Sequence, residues 1–270
     1  MALLTSQRIN DLYNQYKNID ITFTKNVVKA LKLISNEIYL KCLGHQWRCV
    51  VYSCSMSGVK IVMNLDNNLM EIFRKANNAA SIRLCFLEPD KLVPVSFFIA
   101  SKITGFTPYT QGDSQLHFIN MKFNNQPPED LISVLGLLVE ANVNAKKRAE
   151  ERIVLTDESV KFLGLASKSS VLNVEGIPRA CILRDLSFAG AKVIVSGIGK
   201  FLVNKPAVLK LELEDLPLFL IPGTILRYDS VEGRKDLSTL GFKYNEDAVP
   251  IEYKLRINDF FSRIKKKTGA

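Results

Sequence analysis

The sequence predicts a mainly β protein: two β-barrel domains in tandem, joined by a short helical linker, with a helix at each end. Three observations carry that reading. Two long blocks consist of short β-branched and aromatic runs cut by Gly, Asn, Asp and Pro, the punctuation of strands and turns. A single stretch of helical periodicity separates them. Text from the first block also recurs, in order, in the second.

Residues 4–17 (LTSQRINDLYNQYK) form the first element, a helix with Thr5 or Ser6 as N-cap and Ile9, Leu12 and Tyr13 on one face. Residues 27–123 then change to strand-like runs: IYLKCLG, WRCVVYSC, VKIVM, SIRLCFL, VPVSFFIAS and LHFINMKF. The exception is residues 68–76 (NLMEIFRKA), a short helix. Pro127, Pro128, Glu129 and Asp130 open the linker helix with acidic first-turn residues. Leu131, Ile132, Val134, Leu135, Leu137, Leu138 and Val139 give it an apolar surface, and Lys146, Lys147 and Arg148 form a basic stop. The second β block covers residues 152–244. The last helix, residues 250–267, sets Tyr253, Ile257, Phe260, Phe261 and Ile264 on one side. Lys254, Arg256, Arg263, Lys265, Lys266 and Lys267 make it basic. The expected domains are residues 1–126 and 148–270, with 127–147 as linker.

The repeat is short but ordered. Residues 55–63 read SMSGVKIVM and residues 187–195 read SFAGAKVIV; later, 119–124 (INMKFN) echoes 240–245 (LGFKYN). The separation falls from 132 residues (Ser55 to Ser187) to 121 (Ile119 to Leu240). A longer loop is therefore expected in the first copy, around residues 108–114.

Charge and motif content narrow the function. With 36 Lys+Arg against 27 Asp+Glu, the net charge is +9, which points to an anionic partner. No run approaches the roughly 18 apolar residues of a membrane span. The densest stretch, residues 216–226, is broken by Pro217, Pro222 and Gly223, and the first ten residues lack a signal-peptide pattern. A cytoplasmic protein is expected. Its five cysteines are odd in number and irregularly spaced, as free buried thiols would be. Cys42, His45, Cys49 and Cys54 lie close together. However, residues 47–52 read as one strand, which would turn Cys49 and Cys54 to opposite faces, and no Cys-x-x-Cys is present. No metal site is expected. Neither His45 nor His117 sits in a catalytic setting, and no nucleophile elbow, phosphate loop or dinucleotide fingerprint occurs. The expectation is a binding protein, not an enzyme, with no catalytic residues and no cofactor.

Two features suit an anionic ligand. Arg148 and Arg152 stand four residues apart where the linker enters the second β block, and Asp185, Ser187 and Gly190 flank a strand end. A guanidinium fork suits phosphate oxygens, the O6/N7 edge of guanine, or a base plane. A carboxylate accepts from the N1–H and N2–H₂ donors of guanine. Glycine permits close backbone approach, and a serine hydroxyl can shape the pocket or complete phosphate contacts. Taken singly, the arginines read as a solvated helix end and the Asp-Ser-Gly pattern as a turn.

Together, RxxxR followed by DxSxxG, a strand ending in LGFKY and a terminal helix resemble the PilZ domain. The resemblance implies a tandem of PilZ-like β-barrels. It also implies a receptor for the bacterial second messenger cyclic di-GMP, bound by Arg148, Arg152, Asp185, Ser187 and Gly190. The first half resembles a PilZ-like barrel that has lost its site: Ser53 stands where Asp185 does, with no RxxxR upstream. The whole chain is similar to the two-domain spirochaete receptors of the PlzA type. In that pattern the RxxxR linker is mobile when empty, and ligand orders it and fixes the domain arrangement. Glu150 and Glu151, which sit between the arginines, are expected from their position to pair with them in the empty site. The implied setting is signal transduction by a monomer, with motility machinery, a transcription factor or nucleic acid as downstream target. The alternative is a basic nucleic-acid-binding protein with an incidental RxxxR, using the tail cations Arg263, Lys265, Lys266 and Lys267.

Overall fold

A computed structural model describes residues 4–87, 93–109 and 115–268, with side chains for all of these except Lys235 and residues 265–268. The tail lysines Lys265, Lys266 and Lys267 therefore lie outside the described side chains. So does most of the loop expected at residues 108–114.

The chain divides into two compact units, Met1–Glu140 and Ala141–Ala270. The first opens with helix α1 (Ser6–Tyr16), whose N-terminus is capped by the Thr5 hydroxyl accepting from the Arg8 amide. Strand β1 (Ile21–Thr22) and helix α2 (Lys25–Ala30) lead into β2 (Tyr39–Cys42), β3 (His45–Arg48), β4 (Val50–Cys54) and β5 (Gly58–Asn64). Helix α3 (Asn67–Lys75), β6 (Ala79–Phe86), β7 (Val95–Pro108) and β8 (Leu116–Phe123) complete the sheet. Its strand order is β1-β4-β5-β8-β7-β6-β2-β3. Helix α4 (Glu129–Lys147) carries the chain across the division.

The second unit repeats the plan: β9 (Arg152–Val154), α5 (Asp157–Leu163), β10 (Ser169–Val174), β11 (Ile177–Ser187), β12 (Gly190–Ser196), β13 (Pro206–Leu211), β14 (Phe219–Val231), β15 (Arg234–Tyr244) and α6 (Ile251–Thr268). Here β10 pairs with both β13 and β11, so six strands close into a barrel, with β9 added outside β11. Period-two alternation fills the interior. In β12, Ala191, Val193 and Val195 point inward beside Leu209, Ile221, Leu240 and Phe242, all buried. Each such large side chain contributes about 1.5–3 kcal/mol by leaving water.

The two units correspond residue by residue at the same separation of 132. The two-residue turns Leu43-Gly44 and Glu175-Gly176, all at positive φ, join β2 to β3 and β10 to β11. Thr24 caps α2 by accepting from Val27, and Thr156 caps α5 by accepting from Ser159. Ladder irregularities fall at Val51/Ser53 and at Leu183/Asp185. The offset then falls to 127 between β6 and β13 (Ile82 to Leu209), to 122 between β7 and β14 (Ile99 to Ile221) and to 121 between β8 and β15 (Lys122 to Lys243). The β5–β6 connection holds all of α3, where its counterpart holds only a short 3-10 turn (Gly199–Leu202). The longer loop expected around residues 108–114 accounts for only one residue of the fall, since Gly105 and Asn120 are 15 apart where Arg227 and Gly241 are 14; the β5–β6 and β6–β7 connections account for five each.

Three sequence expectations change. Residues 47–52 are not one strand: β3 and β4 break at Cys49, whose amide donates to the Ile38 carbonyl at 3.3 Å. The first sheet is thus an interrupted version of the barrel closed by β11 in the second unit. Cys49 and Cys54 do not face opposite sides, because the ladder shift between Val51 and Ser53 changes the alternation and both become buried. Among the described residues no group of three or more His, Cys, Asp or Glu is placed to hold a metal ion. Two short helices, α2 and α5, stand where strand text was expected. Among the described residues, no helix is long and apolar enough to cross a membrane.

Candidate functional site

The end of α4 and the start of β9 bring the arginines to one corner of the second unit. The Arg148 amide still donates to the Asn144 carbonyl at 2.8 Å, so it closes the last helical turn. The chain then turns, with the Glu151 amide donating to the Arg148 carbonyl at 3.1 Å, and enters β9 at Arg152. Strand β9 pairs antiparallel with the end of β11, which sets Arg152 opposite Ser187, Ile153 opposite Leu186 and Val154 opposite Asp185. From that position the Arg152 guanidinium reaches diagonally to Asp185 and forms an ion pair with its carboxylate. The pair is partly shielded: the Asp185 side chain is 13% exposed and that of Arg152 34%. Arg148 pairs with Glu151 instead, at 3.7 Å.

Ser187 and Gly190 build the floor of the corner. The Ser187 hydroxyl accepts from the amides of Gly190 at 3.0 Å and Ala189 at 3.3 Å, and donates to the Gly190 carbonyl at 3.1 Å. Its side chain is thus committed to the tight turn between β11 and β12, and it is buried. Gly190 is required by close approach, since a Cβ there would stand 2.4 Å from the Phe242 carbonyl oxygen. Helix α6 supports the turn from behind. The Tyr253 hydroxyl donates to the Ser187 carbonyl at 2.8 Å, with the Tyr244 hydroxyl 3.4 Å from that of Tyr253. Burial raises both phenols well above the ordinary tyrosine range.

The structure therefore brings together Arg152, Asp185, Ser187 and Gly190 and places Arg148 one turn earlier on Glu151. The corner offers a carboxylate acceptor, two guanidinium groups and a rigid turn, a set suited to a ligand with both phosphates and a donor-bearing base. Two cavities lie elsewhere. One of about 500 Å³ in the first unit is lined by Lys25, Lys29 and Lys32 among apolar groups. The other, about 230 Å³, opens between Leu165, Ser170 and Lys210 of the second.

The first unit keeps the frame and loses the charges. Strand β1 pairs Ile21 with Cys54 as β9 pairs Ile153 with Leu186, so Tyr16 and Asp20 stand where Arg148 and Arg152 do, and Ser53 where Asp185 does. The turn itself persists. The Ser55 hydroxyl accepts from the Ser57 amide at 3.2 Å, and a Cβ on Gly58 would stand 2.5 Å from the Met121 carbonyl oxygen. The Tyr16 and Asp20 correspondence escapes sequence matching because β1 is two residues long and shares only Ile21 with β9, at Ile153. The 132-residue offset of the Thr24 and Thr156 caps is the signal that recovers it.

Residues 7–142 match the family model of the PilZN3 domain. Over 267 residues the chain is 39% identical to a Treponema denticola protein described as a cyclic di-GMP binding protein, covering 98% of this chain and 85% of that one. Among solved structures it is similar to Borreliella burgdorferi PlzA in complex with c-di-GMP, with 24% identity, a TM-score of 0.44, and 96% of this chain and 100% of that chain covered. It is also similar to Escherichia coli YcgR in complex with c-di-GMP, with 12% identity, a TM-score of 0.31, and 90% and 91% covered.

Proposed function

The chain belongs to the PilZN3-domain family, and from that premise we propose that it is a receptor for cyclic di-GMP whose site is the Arg148–Arg152–Asp185 corner of the second unit. The observation that carries the reading is the Arg152–Asp185 ion pair, set on the rigid Ser187–Gly190 turn and absent from the otherwise matching turn of the first unit. We read this partly shielded charge pair, at the β9–β11 junction, as a ligand site held in an internal bond.

Binding exchanges partners. Phosphate oxygens take Arg152 from Asp185 and Arg148 from Glu151 through charge-assisted bonds, and Asp185 is freed to accept from the N1–H and N2–H₂ groups of a guanine. Ser187 and Gly190 hold the turn that positions Asp185. The segment 148–151 moves from a local Glu151 contact onto the ligand, an ordering step driven by differential contacts in the two states. The arrangement binds and releases its ligand, as a receptor and not an enzyme, and cytoplasmic signalling is its setting.

Isothermal titration tests the reading directly. The full chain should bind cyclic di-GMP, and Arg148→Asp, which reverses a charge in the clamp, should abolish binding with the circular dichroism spectrum unchanged. Wild-type affinity in that variant would remove the site assignment.

A further inference from the structure

The first unit holds a cavity of about 500 Å³ in which the cyclic di-GMP corner has no part. Its wall is mostly apolar, with Phe23, Val28, Ile34 and Leu87 against it, and three lysines stand at it: Lys25, Lys29 and Lys32. Lys25 and Lys29 lie one turn apart on α2, and Lys32 follows in the turn that ends the helix, its amide donating to the Lys29 carbonyl at 3.1 Å. All three are exposed. Among the described residues none of them is in an ion pair, and Glu37, the next acid along the chain, is held by Arg83 at 3.0 Å.

The second unit shows what the plan itself requires at this place. At the 132-residue offset Lys25 corresponds to Asp157, Lys29 to Lys161 and Lys32 to Gly164. The Lys32 carbonyl accepts from the Leu87 amide as the Gly164 carbonyl accepts from that of Glu214, so Leu87 and Glu214 correspond as well. Two acids and a glycine of the second unit are thus two lysines and a leucine in the first. The second unit also fills the place: Arg256 Nη1 of α6 lies 3.4 Å from where a Cβ on Gly164 would stand, and the guanidinium pairs with Asp215 at 3.9 Å. Lys32 is not the residue that its backbone favours. It holds φ 52° where Gly164 holds 63°, a left-handed conformation that glycine adopts freely and a lysine only at a cost. A charge is kept there against the preference of the chain.

We propose that this cavity binds an amphiphilic anion, with a phosphate or carboxylate head on Lys25, Lys29 and Lys32 and an acyl chain along Phe23, Val28, Ile34 and Leu87. A mostly apolar hollow of this size with a few charged groups has the make-up of a small-molecule site. Three ammonium groups with no acid among them favour an anion. Leu87, 44% exposed, gains by leaving water beneath an acyl chain. The site is separate from the cyclic di-GMP reading and stands without it.

Isothermal titration of the full chain with decyl phosphate tests it, against inorganic phosphate, which lacks the chain, and decanol, which lacks the charge. Wild type should bind decyl phosphate at least about tenfold more tightly than inorganic phosphate or decanol. Lys32→Gly should bind it about three- to fivefold more weakly. The same variant should melt about 2–4 °C higher, since it relieves the left-handed lysine. A lysine kept only for the fold would not give those opposite signs. Lys29→Ala should weaken binding alike, and Lys75→Ala, a surface change on α3, should match wild type. Sedimentation with phosphatidylglycerol vesicles, set against phosphatidylcholine, identifies the source. Retention reduced in Lys32→Gly supports the site with a membrane lipid as ligand, and decyl phosphate binding without retention supports it with a free amphiphile. Undiminished affinity in Lys32→Gly, or equal affinity of the wild type for inorganic phosphate, would overturn the site.

Discussion

The Tyr253 hydroxyl donates to the carbonyl oxygen of Ser187 at 2.8 Å, which bonds helix α6 to the turn that follows Asp185. Both residues are buried, so the bond has no water to replace it. Tyr253→Phe leaves the carbonyl unsatisfied and should lower stability by about 1–3 kcal/mol. Urea denaturation would show it as a lower midpoint with an unchanged slope. An unmoved midpoint would mean that the turn does not depend on α6.

Gly190→Ala and Gly58→Ala should destabilise alike, although only one of the two glycines belongs to the proposed site. Each new Cβ meets a backbone carbonyl oxygen, at 2.4 Å from Phe242 and 2.5 Å from Met121, where no rotamer change relieves it. A strand must shift, at a cost of about 2 kcal/mol or more. Thermal melts of both variants check this, and cyclic di-GMP titration should then show a loss in Gly190→Ala alone.

Glu151→Gln should tighten ligand binding modestly. Glu151 holds Arg148 at 3.7 Å and its side chain is 51% exposed, so the competing pair is weak. Removing it gains at most about 1 kcal/mol, or roughly fivefold in affinity. The gain should shrink as salt is raised, since the competing pair is screened. Unchanged affinity at low salt would show that Glu151 does not compete.

Stability should fall as the solution turns alkaline. Burial pushes the Cys49 thiol up to about 12 and the Cys181 thiol up to about 11, and raises Cys42 and Cys54 as well. Unfolded thiols ionise near about pH 8.5. Above that value the folded chain holds more protons than the unfolded one, and linkage makes stability decline with rising pH. The contribution is complete below about pH 8 and fades toward the folded values, with Tyr244 and Tyr253 joining above about pH 10. Urea midpoints in reductant at about pH 7.5 and about pH 9.5 would show the drop, and it should be smaller in Cys49→Ala.

The helical stripes of Ile9 and Leu12, of Leu131 and Leu135, and of Tyr253 and Ile257 were legible because each repeats over several turns. Helices α2 and α5 were not, because they are too short for periodicity and rest on local caps, the Thr24 hydroxyl in one and the reciprocal Thr156–Ser159 pair in the other. The break at Cys49 was hidden for a related reason: a run such as WRCVVY looks continuous, and only the ladder shows where pairing stops. The order of the two motifs, and the resemblance they carry, set Arg148, Arg152, Asp185, Ser187 and Gly190 apart as candidates. Neither could say that Arg152 bonds to Asp185 while Arg148 bonds to Glu151, because that depends on which residues β9 places opposite β11.

Helix α4 closes one copy and opens the other. Gly136 packs against Leu12 of α1 in the first unit, and the Asn144 side-chain Nδ2 donates to Asn258 Oδ1 of α6 at 2.7 Å in the second. Two complete copies would call for four terminal helices, and the described residues form three: α1, α4 and α6. Neither half can then be excised cleanly at the 140/141 division. A stand-alone version of either should retain all 19 residues of Glu129–Lys147, so a faithful pair of fragments would have to overlap in sequence.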